Sequence, residues 1–485
     1  MFLTNTFSGK KEKFIPLQDG LVTLYSCGPT VYDYAHIGNF RSFLMADLLF
    51  RALKYEGYEV KKIQNITDVG HLTQDDLADA DGEDKIQKKA KAEKKDPIEI
   101  ARFFEEKFIE DEAVLKIIPP ASRPRATEFI AEQTELINQL LKNKMAYRVG
   151  GSIYFRVSAF DEYGKLSKNS LENLQAGARV EVNDEKENPL DFALWKKGDE
   201  RHLMQWDFFN GEKIPLEKIS ESPTHESWGF PGWHIECSAM SWKLLGRDFD
   251  IHTGGEDNIF PHHECEIAQN WGSHGGKINY WLHAKHLLVD GKKMSKSAGN
   301  FYTIRDLIQR GWTGEEIRLA LISAHYRSEL NFTKSSLEQA RNSLHRLREA
   351  WEIFDTSETT SKIDELKPLI QKYRDAIADD LHISEALSGA FEIIAWGFQK
   401  REKNELTPEE SGAIKQFLTE DFNPIFAVLP EENFVIPQAV TGLLESRKKA
   451  RENKDFTESD RLRDEIAKLG FEVLDEKDGQ RVRKN

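Results

Sequence analysis

The spacing of apolar positions changes period several times along the chain, and each change marks an element. LVTLYSCGPTVY (Leu21 to Tyr32) predicts a strand running into a Gly-Pro loop. IGNFRSFLMADLLFRALKYEGY repeats apolar residues at three- and four-residue steps, predicting a helix that ends at Gly57. YEVKKIQNITDVG predicts a second strand, so the opening reads as a βαβ unit of a parallel sheet. An acidic segment, TQDDLADADGEDKI, reads as a mobile loop, and the stretch from Pro97 to Ile117 as a helix with Pro in its first turn. From Pro119 to Ser227 the texture changes to one helix, one strand (GSIYFRV) and loops with short polar strands, which predicts an insertion. Sheet-like character returns with GWHIECSAMSWKLLG, DFDIHTGG and INYWLHAKHLLVDG. From Thr333 to Leu429 three or four amphipathic patterns predict a helix bundle, and the last 55 or so residues a small helical unit with a hairpin at FEVLDE.

Composition narrows the class. The 485 residues exceed one ordinary core and predict three or four domains. With 39% hydrophobic and 31% charged residues, and neither a signal peptide nor a run of transmembrane length, the chain reads as a globular cytoplasmic protein away from membranes. Three dispersed cysteines make no disulfide framework and fit a reducing compartment, where a Cys near His and Glu favours metal binding or nucleophilic chemistry. A net charge of −15 excludes a generic nucleic-acid binder held by a basic surface. Near the end positive charge is concentrated at Arg447 to Lys454 and Arg481 to Lys484, where a solvated helix face is the plain alternative to a binding role.

Three clusters carry candidate chemistry. In FPHHECEIAQNW, a helix starting at Pro261 puts His262 and Glu266 one turn apart on one face, half of a tetrahedral zinc site. An exposed polar helix is the alternative. Cys27 and Cys237, each expected at a strand end, are the available thiolates, because parallel strand ends gather distant residues at one crevice. Cys265 points about 100° away from Glu266 around the helix. His263 and Glu264 are expected to face solvent or to support the ligands. In PTVYDYAHIGNF a loop enters a helix whose free N–H groups suit phosphate; His36 can donate to it, Gly38 permits close approach and Asn39 can bond ribose or base. In GKKMSKSAGN, Lys293 and Lys296 form a cationic loop able to close over polyphosphate. Alone, the first of these two motifs reads more readily as an ordinary strand–helix loop and the second equally well as surface loop, and neither is the phosphate-binding pattern GxxxxGK[ST].

Together these runs resemble a known family. HIGN and KMSKS resemble the HIGH and KMSKS signatures of class I aminoacyl-tRNA synthetases. YSCGPTVYDYAHIGNFRSF, NITDVGHL, DFALWK, GFPGWHIECSAM, FPHHECEIAQ, HYRSELNF and the tail KDFTESDRLRDEIAKLGFEV are similar to the cysteinyl-tRNA synthetase family over nearly the whole chain. The resemblance implies an α/β fold: a Rossmann-type parallel-sheet catalytic domain with an insertion, an α-helical bundle and a small C-terminal domain. On that reading 1–118 and 228–285 are the catalytic halves, 119–227 the inserted connective domain, 286–332 the KMSKS loop and stem-contact region, 333–429 the bundle and 430–485 the anticodon-recognition domain. It implies one zinc ion on Cys27, Cys237, His262 and Glu266 that recognises the substrate thiol, with magnesium accompanying ATP. It assigns His36, Gly38, Asn39, Lys293 and Lys296 to ATP, with Lys296 foremost in catalysis. Trp233 resembles the pocket aromatic beside cysteine; Cys27, Thr67, His252 and Asp257 complete the implied cysteine site. The implied activity is ligation of L-cysteine to tRNA-Cys by a monomer.

Several features depart from the family pattern. HIGN ends in Asn, which cannot become cationic. The acidic loop interrupts NITDVDDKI, the segment before Trp228 is long, and the C-terminus lacks an expected tryptophan, which puts anticodon contacts there in doubt. Two rivals remain: a ligase joining cysteine to an amino sugar, and an inactive zinc-bearing RNA-binding or regulatory protein.

Overall fold

The computed structural model describes all residues except 71–83, 170–184, 223–224, 296–298, 356–362, 431–437, 454, 477–478 and 485. It divides into two compact units, Met1–Val428 and Leu429–Asn485.

The larger unit is organised around four parallel strands. β1 (Leu21–Ser26), the helix α1 (Ile37–Tyr55) and β2 (Glu59–Gln64) form the expected βαβ unit, with Leu24 opposite Lys62. β3 (Phe249–Gly255) pairs with the other edge of β1, and β4 (Ile278–Ala284) pairs beyond it, giving the order β4-β3-β1-β2. Chain direction across the sheet therefore reverses between β1 and β3. In an open parallel sheet that point leaves a crevice outside the strand ends, the usual place for a ligand. α1 covers the sheet with an almost wholly apolar body from Phe40 to Leu53.

Helices α2 (Lys85–Glu93) and α3 (Pro97–Val114) follow; Pro97 opens α3 as expected. The insertion holds the helix Ile130–Lys142 and a five-stranded antiparallel sheet built from Ala146–Val149, Ser152–Phe155, Phe192–Lys197, Trp228–Pro231 and the short edge Trp206–Asp207. Its inward residues Phe155, Phe192 and Leu194 join one continuous core with Ile235, Met240 and Ala268. The insertion is thus packed onto the strand-end crevice.

One expectation fails here. GWHIECSAMSWKLLG is a helix, α4 (Trp233–Leu245), so Cys237 sits in a helix and not at a strand end. The run is rich in β-favouring Trp and Ile, and no Ser, Thr or Asp caps its start; Gly232 occupies the N-cap without a side-chain bond. α5 (Glu264–His274) follows a π-helical turn, Ile259–His263, that contains a cis Phe260–Pro261 bond.

Helices Lys334–Ile353, Lys367–Ala378, Ile383–Glu402 and Pro408–Gln416 supply the amphipathic bundle. α6 (Gly314–Ile322) is tied to α1 through Arg318, fully buried, which donates to Asp47 Oδ2 on α1 (2.7 Å), Leu115 O (2.9 Å) and Phe426 O (2.6 Å).

The smaller unit packs helices Gln438–Glu452 and Phe456–Lys468 with the hairpin Phe471–Glu476/Gly479–Lys484, around Val440, Ile466, Phe471 and Val473. The acidic segment read as a loop lies outside the described residues except for Asp84, Lys85 and Ile86. Asp84 caps α2, accepting from the N–H groups of Ile86 (2.9 Å) and Gln87 (3.0 Å). Among the described residues no helix is long and apolar enough to cross a membrane.

Candidate active site

The crevice at the strand reversal collects the sequence-predicted residues from four elements. Cys27 follows β1 directly, its N–H bonded to Thr253 O on β3 (3.1 Å). The chain can turn there because residue 28 is Gly. A Cβ at that position would lie 1.7 Å from Asn65 O, and the Gly28 N–H donates to Asn65 Oδ1 (2.8 Å). Cys237 comes from the first turns of α4, and His262 and Glu266 from either side of the α5 start, with His262 Nε2 3.1 Å from Glu266 Oε1. One ligand atom from each of Cys27, Cys237, His262 and Glu266 lies within 4.8 Å of the others, and all four residues are buried.

The electrostatics of this cluster fit a cation. The side chains brought together are thiols, a carboxylate and imidazoles. Burial pushes the Glu266 carboxyl upward, but His252 and His262 beside it outweigh that and bring it to about 2. Burial lowers the His262 imidazole, yet Cys237 and Glu266 raise it to about 10. The bond to Cys27 and the neighbouring His262 lower Cys237 to about 6, while burial, Cys237 and Glu266 raise Cys27. The directions of these shifts mean that the buried thiol–carboxylate set is stabilised by positive charge beside it. A divalent cation with borderline-soft preference can take over that role. The four donors fit the expected group.

A second set overlaps the first: Cys27, His252, His263 and Glu266, again within 4.8 Å and buried. His252 Nε2 lies 3.0 Å from Glu266 Oε2, and its ring stacks on Trp281 at 4.7 Å. His263 Nε2 is 3.2 Å from Cys27 Sγ, and its Nδ1 is 2.7 Å from His283 Nε2. His263 and Glu264, for which a solvent-facing place was one expectation, are both fully buried. Glu264 anchors the insertion by accepting the Ser167 N–H (2.8 Å). His234 Nδ1 approaches His262 Nδ1 at 2.9 Å, and the Trp233 ring stacks on His262 at 4.3 Å. His234 and His283 were missed by the sequence reading; the only signal for His234 was its place between Trp233 and Cys237. Cys265 is buried against the Tyr163 hydroxyl (3.4 Å) and belongs to neither set.

Beside the cluster opens a cleft of about 700 Å³, lined among others by Tyr32, His36, Asn39, Trp233, Asp257 and Phe301. His36 and Asn39 cap α1 reciprocally: Asn39 N–H donates to His36 Nδ1 and His36 N–H to Asn39 Oδ1, both at 3.1 Å. A Cβ at Gly38 would meet the His36 ring at 3.0 Å and Met294 Cε at 3.2 Å, so the lysine-bearing loop closes against the helix start. That loop is also tied down by Ile37 N–H to Tyr302 O (3.0 Å), and Asn300 bonds Ser295 N–H (2.9 Å) and Lys293 O (3.2 Å). Lys293 is exposed on a two-residue strand; Lys296 lies outside the described residues. Asp257 is exposed near His286. Thr67 is buried, accepting from Asn65 Nδ2 (3.2 Å), and His252 is buried behind Glu266, so these two are set back from open solvent.

Comparisons with known proteins agree with this arrangement. A family model described as the tRNA synthetases class I (C) catalytic domain matches residues 13–342, and one described as the cysteinyl-tRNA ligase anticodon binding domain matches residues 435–483. The cysteine–tRNA ligase of Chlamydia felis is 42% identical over 497 residues, covering 100% of this chain and 98% of the relative. That of Thermus thermophilus is 40% identical over 503 residues, covering 100% and 99%. The chain belongs to the cysteine–tRNA ligase family. Solved structures extend the likeness of this family member at the level of fold. Mycobacterium tuberculosis methionyl-tRNA synthetase in complex with methionyl-adenylate superposes with a TM-score of 0.56 at 14% identity, over 84% of this chain and 88% of that one. A LeuRS of Agrobacterium radiobacter in a ternary complex gives 0.58 at 12% identity, over 86% and 85%.

Proposed function

We propose that the chain is a cysteine–tRNA ligase that activates L-cysteine with ATP and passes it to the 3′ end of tRNA-Cys. The observation that carries this is the juxtaposition of the buried Cys27/Cys237/His262/Glu266 cluster with the cleft at the start of α1. Zinc is the ion the donor set favours, one per chain; when bound it supplies a thiol-selective Lewis acid. Cys27, Cys237, His262 and Glu266 would hold it, and Trp233 would form the wall beside the substrate thiol.

On this reading cysteine lies with its carboxylate toward the cleft, and Asp257, which lines that cleft, would take its ammonium group. The partial positive charge at the start of α1 favours phosphate, and Gly38 would let it approach the backbone. On this reading His36 and Asn39 would contact ATP, and Lys293 and Lys296 the triphosphate. The cysteine carboxylate attacks the α-phosphorus and pyrophosphate, accompanied by magnesium, leaves. The terminal ribose hydroxyl of the tRNA next attacks the cysteinyl carbonyl and AMP leaves. Rate comes mainly from positioning and from charge placed where the transition state becomes negative. Deep selection by one strong contact exceeds what a steric pocket achieves, about 1–3 kcal/mol per group. The bundle and the C-terminal unit are read as tRNA-binding, the protein as a cytoplasmic monomer.

Aminoacylation of tRNA-Cys with cysteine, and with serine as control, tests the proposal. Cysteine charging with serine rejected is expected; metal-replete, folded protein that charges no cysteine overturns it.

A further inference from the structure

The chain carries a net charge of −15, yet residues 85–95, KIQKKAKAEKK, hold six lysines and one glutamate. Three of those six lysines lie on one side of α2. The helix buries Ile86, Gln87 and Ala90. At about 100° per residue, the opposite arc carries Lys85, Lys88, Lys89 and Ala92. Aromatic and polar contacts fix the arc in place. Lys85 Nζ sits 5.3 Å from the Tyr32 ring centroid and lines the cleft. Lys89 Nζ sits 4.3 Å from that of Phe104 and 3.5 Å from Asp33 Oδ1. Gln87 accepts the Leu203 N–H (2.5 Å) and Lys91 donates to Arg201 O (2.9 Å), which ties the helix to the insertion. Lys95 pairs with Glu93 at 3.0 Å. Lys88 and Lys94 are exposed, and among the described residues neither has a carboxylate partner. The result is a cationic ridge that starts at the cleft mouth and runs outward along the insertion.

We propose that this ridge docks the phosphodiester backbone of the tRNA acceptor arm and guides the 3′ end into the cleft. The inference rests on the function proposed above. Charge complementarity with RNA and continuity with the cleft carry it. A helix of this length spans about 13 Å, more than one triphosphate needs and enough for a run of backbone phosphates. Lys88, on the arc, does not line the cleft in which ATP would sit.

The test uses the full chain carrying Lys88→Gln and Lys94→Gln together, two exposed positions outside the cleft. Binding of a tRNA-Cys transcript is followed by fluorescence anisotropy across salt concentrations, with cysteine-dependent ATP–pyrophosphate exchange measured in parallel. Two lost phosphate contacts are expected to make the slope of log affinity against log salt shallower by about 1.4–1.8. Between about 50 and 200 mM salt the unsubstituted protein then loses roughly 7- to 12-fold more affinity than the variant, with exchange unchanged. An identical slope and affinity overturns the proposal. So does a rise in the ATP requirement of exchange, which would assign the ridge to the nucleotide. Charging is scored separately: protein that binds tRNA-Cys without charging it counts against the proposed function, while the slopes still decide the dock.

Discussion

Cys237→Ser and His252→Gln, taken as a pair, decide which of the two overlapping donor sets holds the ion. Both sets contain Cys27 and Glu266; one adds Cys237 and His262, the other His252 and His263. In the first set His252 is not a ligand but a support, bonded at 3.0 Å to the far oxygen of the Glu266 carboxylate. Loss of such a support lowers metal affinity about 10- to 100-fold, or about 1.4–2.7 kcal/mol. Cys237 would instead be one of two thiolates on the ion. The assay strips the metal, titrates cobalt(II) into the full chain against a competing chelator, and follows thiolate-to-cobalt absorption. Cys237→Ser is expected to reduce that absorption per bound ion to roughly half, one thiolate of two remaining. His252→Gln should keep full absorption and lose only the affinity given above. Undiminished absorption in the Cys237 variant, with binding abolished in the His252 variant, would place the ion in the other set. The proposed role of Cys237 in thiol selection would then fail.

Three further outcomes follow from the packing. Arg318→Met should cost about 3–5 kcal/mol, because it strands a buried carboxylate and two carbonyls; Arg51, 2.8 Å from Asp47, keeps the loss from being larger. For a unit of this size that is a fall of about 3–5 °C in thermal midpoint, and no fall would mean the buried pair is dispensable. Burial pushes the Asp111 carboxyl up to about 6, against the effect of Arg305 beside it. The folded chain thus binds that proton more tightly than the unfolded one, and stability from this group falls as pH rises from the ordinary carboxylate range to about 6. Asp111→Asn should therefore gain midpoint relative to the parent between pH 4 and 7, roughly that window; a constant difference would contradict the assignment. Cys265→Ala, which removes a thiol bonded to Tyr163, should leave one ion per chain, and lower metal stoichiometry would show that Cys265 is a ligand after all.

Local pattern was enough for some of this architecture. The period change from LVTLYS to IGNFRSF marks β1 and α1, and the four-residue step from His262 to Glu266 places both on one turn. Neither needs information from elsewhere in the chain. Arg318 and Asp47 are different: their sequence separation is 271 residues, and each alone looks like a charge on an amphipathic helix. Cys237 was legible as a member of the buried cluster but not as a helical residue, because α4 begins without a capping side chain.

The run His262-His263-Glu264-Cys265-Glu266 shows most clearly why the rest was hidden. Five consecutive polar or thiol positions on a helix normally mean that part of it faces water. Here every one is buried, since the turn and α5 are enclosed by the sheet, by α4 and by the insertion. Each direction around the helix meets a different partner. His262 meets Trp233 and His234, and His263 meets Cys27 and His283. Glu264 meets the backbone of Ser167, Cys265 meets Tyr163, and Glu266 meets His252. A buried polar group must be bonded or it costs stability, so polarity here records partners and not exposure. Helical period alone carries no information about those partners, because three of the elements that supply them lie more than 25 residues away in sequence. His262 and Glu266 could be picked out as a pair because they lie one turn apart.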